Sequence, residues 1–244
     1  DSVRHLISGG APLGIAVARG FALKFGRPVL EGYGLSEASP VVSVNLPHKV
    51  KVGSIGPTIA HVKAKIINAH GEEVPHFERG ELLVKGPNVM LGYLNLPDAT
   101  AKAIEKDGWL HTGDVGYMDE DGFIFLVDRV KDMIISSGEN VYPREIEEVV
   151  SAYPGVAECS VIGIPDALRG QAICLYVVPR EGETIDKKAL RQYLIGRIAP
   201  YKVPREYFLV ESLPKTALGK VRKNVLRDET VAILSKNKFA GRAL

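Results

Sequence analysis

The sequence predicts a chain of mixed α/β and α+β class, on three observations. Residues 1–50 open in strand, helix, strand order, residues 51–128 are short β runs cut by Gly, Pro and Asn, and from 129 to 244 strands alternate with helices. The first segment reads as the edge of an α/β layer, the second as a small distorted β-barrel and the third as a compact α+β domain. The boundary before that third segment falls at Asp128 to Lys131.

Each element follows from local pattern. Residues 3–7 read as a strand, 8–12 as a turn, and 13–25 as a helix with its apolar residues on one face and Arg19 and Lys24 off it. A strand returns at 29–33, but the first forty residues hold too few strands for a complete parallel sheet, so its completion is expected upstream. The lack of an initiator Met points the same way. Residues 62–67, 80–85 and 122–127 are the clearest β runs of the middle segment. Beyond Arg129 come a strand at 133–135, a helix at 144–152, strands at 157–164 and 172–178, a helix at 187–198 and a strand at 207–210. After Arg227 a polar-flanked helical piece follows, with a fraying end expected.

Composition narrows the function classes. At 244 residues and 45% hydrophobic content the chain can bury at least one sizeable core in one or two domains. A net charge of +2 supplies no bulk field that selects nucleic acid or an anionic membrane. The two cysteines, Cys159 and Cys174, lie in apolar, β-branched runs, which suits buried free thiols in a reducing, cytoplasmic compartment better than a disulfide framework. No apolar run reaches the roughly 18–20 residues that span a bilayer, and no export signal opens the chain. Peripheral membrane contact and oligomeric state stay open.

Several short motifs carry chemistry. Tyr33-Gly-Leu-Ser-Glu37 follows a strand, where open α/β sheets bind ligands. There Ser36 could hold a phosphate oxygen, Glu37 a Mg²⁺, and Tyr33 offers a flat face to a purine. Alone, the five residues read first as a plain turn. Thr112-Gly-Asp114 sits in a Gly-rich loop after Trp109, and its Asp can accept both hydrogen bonds of a ribose diol; an Asx-type turn between barrel strands is the simpler reading in isolation. Asp128-Arg-Val-Lys-Asp132 packs four charges into five residues, as a solvated loop or an interdomain joint does. Ser136-Ser-Gly-Glu-Asn140 leads through Pro143 into a helix with acids in its first turn, which helix initiation alone explains.

Pro214-Lys-Thr-Ala-Leu-Gly-Lys-Val-Arg-Lys223 is a basic loop able to place one ammonium beside a developing negative charge, with a solvated or nucleic-acid-touching tail as its competitor. Single-strand platforms interleave aromatic residues with basic ones, and none lies between Leu209 and Phe239, so no nucleic-acid partner is expected. Of the six histidines only His111 abuts a candidate site, and none pairs with a cysteine at structural-zinc spacing. The chain holds no G-x-S-x-G elbow and no complete dinucleotide fingerprint, which disfavours hydrolase and dehydrogenase readings.

Taken in order, these segments resemble the adenylate-forming superfamily of acyl- and aryl-CoA synthetases, luciferases and peptide-synthetase adenylation domains, over essentially the whole chain. The resemblance implies the end of a large α/β N-terminal domain plus distorted β-barrel over 1–128, then a small mobile α+β C-terminal lid over 129–244. It implies that Ser8-Gly-Gly-Ala-Pro-Leu13, with Gly9, Gly10 and Ala11, lines the acyl and adenine pockets. Tyr33 and Gly34 take adenine and phosphate, Ser36 and Glu37 act in catalysis with Glu37 on the metal, and Asp114 and Arg129 hold the ribose side.

By the same resemblance Lys131 is the hinge, Gly138 meets the pantetheine tunnel and Lys220 is the catalytic lysine of adenylation. ATP, Mg²⁺ and CoA are the implied cofactor and co-substrates, and a small-molecule carboxylic acid, nearest to a fatty acid in overall wording, is the implied substrate. Asp128 stands where Gly is commoner, a luciferase-like variation. The family's Gly-, Ser- and Thr-rich pyrophosphate loop has no counterpart in these 244 residues, so the chain alone is expected not to adenylate. A non-catalytic nucleotide- or CoA-binding module, or a partner of a separate N-terminal polypeptide, is the alternative from another class. Aryl-CoA ligases and carrier-loading adenylation domains are the alternatives within it.

Overall fold

The computed structural model describes residues 2–217 and 219–240. The chain divides into two compact units, Asp1–Val130 and Lys131–Leu244.

The first unit opens with β1 (Leu6–Ser8), α1 (Ile15–Phe25), β2 (Val29–Gly34) and β3 (Val41–Val44), which form a three-stranded sheet in the order β1-β2-β3. The pair β1 and β2 is parallel across the α1 crossover, and β3 returns antiparallel to β2. Strand β1 begins at Leu6, three residues later than the sequence suggested, and runs into Ser8. Helix α1 stops at Gly26, which takes the left-handed conformation and donates its N–H to the Ala22 carbonyl. Val17, Leu23 and Phe25 of α1 are exposed, so this helix carries apolar surface that the described residues leave uncovered.

The remainder of this unit is β4 (Lys63–Ile67), β5 (Gly80–Lys85), α2 (Pro97–Ala103), β6 (Leu110–Met118) and β7 (Ile124–Arg129). Its four strands pair antiparallel in sequence order, β4-β5-β6-β7. The expected mixed α/β class is therefore present, but the expected barrel is an open meander: four strands leave β4 and β7 as edges, too few to close a barrel wall. Alternate residues of this sheet, Ile66, Leu82, Val84, Leu110 and Ile124, pack with Val42, Ile55 and Val62 as the core of the unit.

The second unit contains β8 (Ile134–Ser136), β9 (Glu139–Val141), α3 (Pro143–Ser151), β10 (Val156–Asp166), β11 (Gly170–Pro179), α4 (Lys187–Leu194), β12 (Glu206–Leu209) and α5 (Lys223–Ala240). The long hairpin of β10 and β11 is its spine, with β8-β9 joined to β11 on one side and β12 parallel to β11. Strand β11 is apolar on both faces because both are covered. Ile173, Leu175 and Val177 point into a core with Ile146 and Val150 of α3 and Leu190 and Leu194 of α4. Ala172, Cys174 and Tyr176 point the other way, against Leu213 and Leu226. The Tyr176 and Thr230 hydroxyls, 2.7 Å apart, fasten α5 to that face. Helix α5 starts at Lys223, earlier than expected, and α4 ends at Leu194, earlier than the expected 198. The end of the tail, where fraying was expected, lies outside the described residues.

Candidate active site

The motif Tyr33-Gly-Leu-Ser-Glu37 straddles the end of β2 and a single 3₁₀ turn, Ser36–Ala38. Gly34 is required there by packing: a Cβ at this position would lie 2.0 Å from the Pro40 carbonyl oxygen, because the chain doubles back and Leu35 donates to that same oxygen at 2.8 Å. The turn leaves Ser36 exposed and Glu37 half-buried. The Tyr93 hydroxyl donates to Glu37 Oε1 at 2.8 Å, and the Glu37 carbonyl accepts from the Met90 N–H at 2.8 Å. The Glu37 contact raises the Tyr93 phenol above its ordinary value.

Asp114 lies inside β6 rather than in the loop expected from its sequence. Between the pairs Glu81–Val115 and Leu83–His111, β6 carries Thr112, Gly113 and Asp114 where β5 has only Leu82. This bulge absorbs the Gly and turns Asp114 out of the regular pleat. The Asp114 residue is 7% exposed. Its Oδ1 accepts from Arg129 Nε at 2.8 Å, directly across from it on β7, and its Oδ2 accepts from the Tyr33 hydroxyl. Burial, together with the Asp114 charge and hydrogen bond, pushes the Tyr33 phenol far up, so it stays a donor. A carboxylate offers about four lone-pair sites, so one on each oxygen is left for further donors. A pair of vicinal hydroxyls fits that remainder.

The structure thus brings Tyr33, Asp114 and Arg129 into one network and sets Glu37 against Tyr93. Gly9, Gly10 and Ala11 form the exposed turn between β1 and α1, just before the Leu13 N–H donates to the buried Glu31 carboxylate at 3.1 Å. In the other unit, Lys131 is the first residue and sits in the 3₁₀ turn Val130–Asp132. Gly138 and Ser137 form the two-residue turn of the β8-β9 hairpin, both with positive φ.

Lys220 is exposed in a tight loop closed by the Lys215–Val221 bridge, and its N–H donates to Thr216 Oγ1 at 3.2 Å. Leu218 of that loop lies outside the described residues. The loop is flanked by two ion pairs, Lys215–Glu158 at 2.7 Å and Lys223–Glu147 at 2.9 Å. Sequence reasoning missed Tyr93 as the partner of Glu37, Glu81 as the acceptor for the Gly113 N–H and Glu147 as the partner of Lys223, because a side chain carries no local sign of which distant group it will meet.

A buried carboxylate beside an arginine and a tyrosine, and a strand-end turn with a hydroxyl and a carboxylate, are the candidate site groups of the first unit, and the loop lysine is housed in the second. Comparison with known families gives the class of the chain. The model for the AMP-binding enzymes matches residues 1–94, and the model for the C-terminal domain of the AMP-binding enzymes matches residues 145–220. The chain belongs to this adenylate-forming family of AMP-binding enzymes.

Among its relatives, the long-chain-fatty-acid–CoA ligase of Bacillus subtilis is 45% identical over 233 residues, 94% of this chain and 41% of that protein. The feruloyl-CoA synthase of an Amycolatopsis species is 43% identical over 229 residues, 93% of this chain and 46% of that protein. The crystal structure of ATP-bound MatB from Rhodopseudomonas palustris is 39% identical and superposes with a TM-score of 0.87 over 93% of this chain and 45% of that one. This chain therefore spans less than half the length of these relatives.

Proposed function

We propose that the chain forms part of an AMP-forming acyl-CoA ligase that activates a fatty acid as its acyl-adenylate and passes the acyl group to CoA. The observation that carries this reading is the buried Asp114 carboxylate, presented by a bulge and held by Tyr33 and Arg129 with acceptor capacity to spare for a ribose diol.

In this reading the ATP ribose rests on Asp114 and Arg129, Ser36 takes a phosphate oxygen and Gly34 lets the backbone turn tightly beside it. Glu37 supplies one carboxylate, the ligand count Mg²⁺ uses when phosphate oxygens and water complete its shell. Among the described residues no group of three or more His, Cys, Asp or Glu side chains could hold a metal. Mg²⁺ bound there would offset charge on the phosphates.

A carboxylate oxygen of the acid attacks the α-phosphorus and the bond to pyrophosphate breaks. The Lys220 ammonium stabilises the charge on the acid and the α-phosphate. The CoA thiol then gives its proton to water, its sulfur attacks the acyl carbon, and the bond from that carbon to the phosphate oxygen breaks to release AMP. Two such reactions in one pocket favour a lid that rearranges between them, with Lys131 as its pivot and Gly138 as the face met by the pantetheine arm. Two free thiols, Cys174 buried as expected and Cys159 only half-buried, suit a reducing, cytoplasmic setting. No described helix is long and apolar enough to cross a membrane.

The similar identity to a feruloyl-CoA synthase favours an aromatic acid as the second reading. The test is ATP-dependent AMP release by the complete polypeptide carrying this sequence, against fatty acids of graded length and ferulate, with and without CoA. Release with a fatty acid, and acyl-CoA when CoA is added, is expected; the 244-residue chain by itself is expected to release none. Release with no acid in the panel would leave only a binding module.

A further inference from the structure

The bulge that presents Asp114 frees backbone groups that a regular ladder would pair, and two side chains, those of Thr112 and Glu81, take them up. Thr112 Oγ1 donates to the Leu82 carbonyl at 2.7 Å and accepts from the Asp114 N–H at 3.1 Å. Glu81 Oε1 accepts from the Gly113 N–H at 3.1 Å. The second oxygen of Glu81 meets His111 Nδ1 at 3.1 Å, and His111 Nε2 in turn meets Glu105 Oε1 at 3.1 Å. Gly113, with φ of 69°, is the apex of the bulge, and its N–H is tied through Glu81 and His111 to the segment that joins α2 to β6.

We propose that Glu81 and His111 are positioning residues for Asp114. Glu81 pins the apex of the bulge and His111 braces Glu81 against Glu105, and together they hold the Asp114 carboxylate in the aim that lets both its oxygens meet a 2′,3′-diol. The inference rests on the reading of Asp114 as the ribose-binding group. Its content is specificity: a site built to pair with a hydroxyl rejects the analogue that lacks it, and that rejection fails when the acceptor is displaced by about 1 Å. Neither side chain reaches the nucleotide in this scheme. Each acts on the ribose only through the Gly113 and Asp114 backbone.

The experiment compares kcat/KM for adenylate formation with ATP and with 2′-deoxy-ATP, in the complete polypeptide and in variants whose folding is checked by thermal melting. The wild-type protein is expected to prefer ATP, and Asp114→Ala to abolish the preference; an unchanged preference in Asp114→Ala overturns the ribose reading and this inference with it. Given that loss, Glu81→Ala is expected to shrink the preference about tenfold and His111→Ala by a smaller factor. Glu81→Gln is expected to keep most of the preference, because its amide oxygen still accepts from the Gly113 N–H. A purely structural role lowers the melting temperature of the Ala variants and leaves the ratio of the two nucleotides alone. A wild-type ratio in a folded Glu81→Ala protein, or in His111→Ala where Glu81→Ala does not fold, overturns the positioning role while leaving the ribose reading intact.

Discussion

The Tyr33 hydroxyl donates to the Asp114 carboxylate across 81 positions of sequence, joining the strand-end motif of the first sheet to the bulged strand of the second. Arg129, the cross-strand neighbour of Asp114 on β7, closes the network from the other side. Two sheets that share no ladder are thereby registered at the point where the nucleotide is proposed to lie.

Removing that hydroxyl tests the network. Tyr33→Phe leaves Asp114 in a site 7% exposed with Arg129 as its remaining side-chain donor among the described residues, and is expected to destabilise the protein by about 1–3 kcal/mol in denaturant unfolding. Because burial and Asp114 hold the Tyr33 phenol protonated well above the usual range, the wild-type and Tyr33→Phe proteins should gain the same phenolate absorbance up to pH 11 while folded. An extra phenolate in the wild-type protein would mean that Tyr33 is not held as described.

Tyr93 is expected to act on the metal requirement. Its hydroxyl fixes one oxygen of Glu37, so Tyr93→Phe frees the carboxylate to rotate. The Mg²⁺ concentration for half-maximal activity should rise severalfold with little change at saturating Mg²⁺. A fall in maximal rate with an unchanged Mg²⁺ requirement would place Tyr93 elsewhere in the reaction.

Gly34→Ala is expected to be among the most damaging single substitutions in the first unit. Its Cβ would sit 2.0 Å from one backbone atom of Pro40 and 2.7 Å from another, and backbone cannot swing aside as a side-chain tip can. The loss should reach or exceed the upper end of the roughly 1–3 kcal/mol typical of overpacking, read as a lower denaturation midpoint. A variant with a wild-type midpoint would show that β2 and β3 separate here easily.

Pattern made much of this legible, and for physical reasons. Short apolar, β-branched runs bounded by turn residues marked β5, β10 and β11, and Pro with acids at the helix start marked α3, because those signals are local. The strand β6 was lost because Gly113 and Asp114 break the alternation; its continuity depends on Glu81, which lies 32 residues away and caps the bulge. The barrel was overdrawn for a related reason, since turn signals count strands but do not say whether the last meets the first. Among the candidate site residues, Tyr33, Asp114 and Arg129 were each singled out in the sequence, whereas their joining in one network, like the partners of Tyr93 and His111, arises only through tertiary packing.

The second unit should be sensitive to alkali. Burial pushes Tyr207 from its ordinary 10.0 up to about 12, Cys159 from 9.0 to about 11 and Cys174 from 9.0 to about 12. In each case the unfolded chain releases its proton first, so the folded state binds more protons and stability falls as pH rises. The stability these groups confer is complete below about pH 9 and is lost progressively up to about pH 12, visible as a falling melting temperature over that window. Within the native protein both thiols should react slowly with a disulfide reagent at pH 8 and rapidly after unfolding.

Lys220 separates chemistry from stability. Its loop is held by the Lys215–Val221 bridge, by the Thr216 hydroxyl and by ion pairs at Glu158 and Glu147, none of which uses the Lys220 side chain. Lys220→Ala is therefore expected to stay within about 0.5 kcal/mol of wild-type stability. Adenylate formation should fall by about 10²-fold or more, as expected when one donor to a developing charge is removed. Thioester formation from supplied acyl-adenylate and CoA should persist, because the lysine is assigned only to the first step. Glu147→Ala supplies the contrast: it releases Lys223 and the Val161 N–H that the same carboxylate accepts at 2.7 Å, so it should lower stability and slow both steps. Loss of both half-reactions in a stable Lys220→Ala protein would move the lysine from the adenylation step to a role common to both.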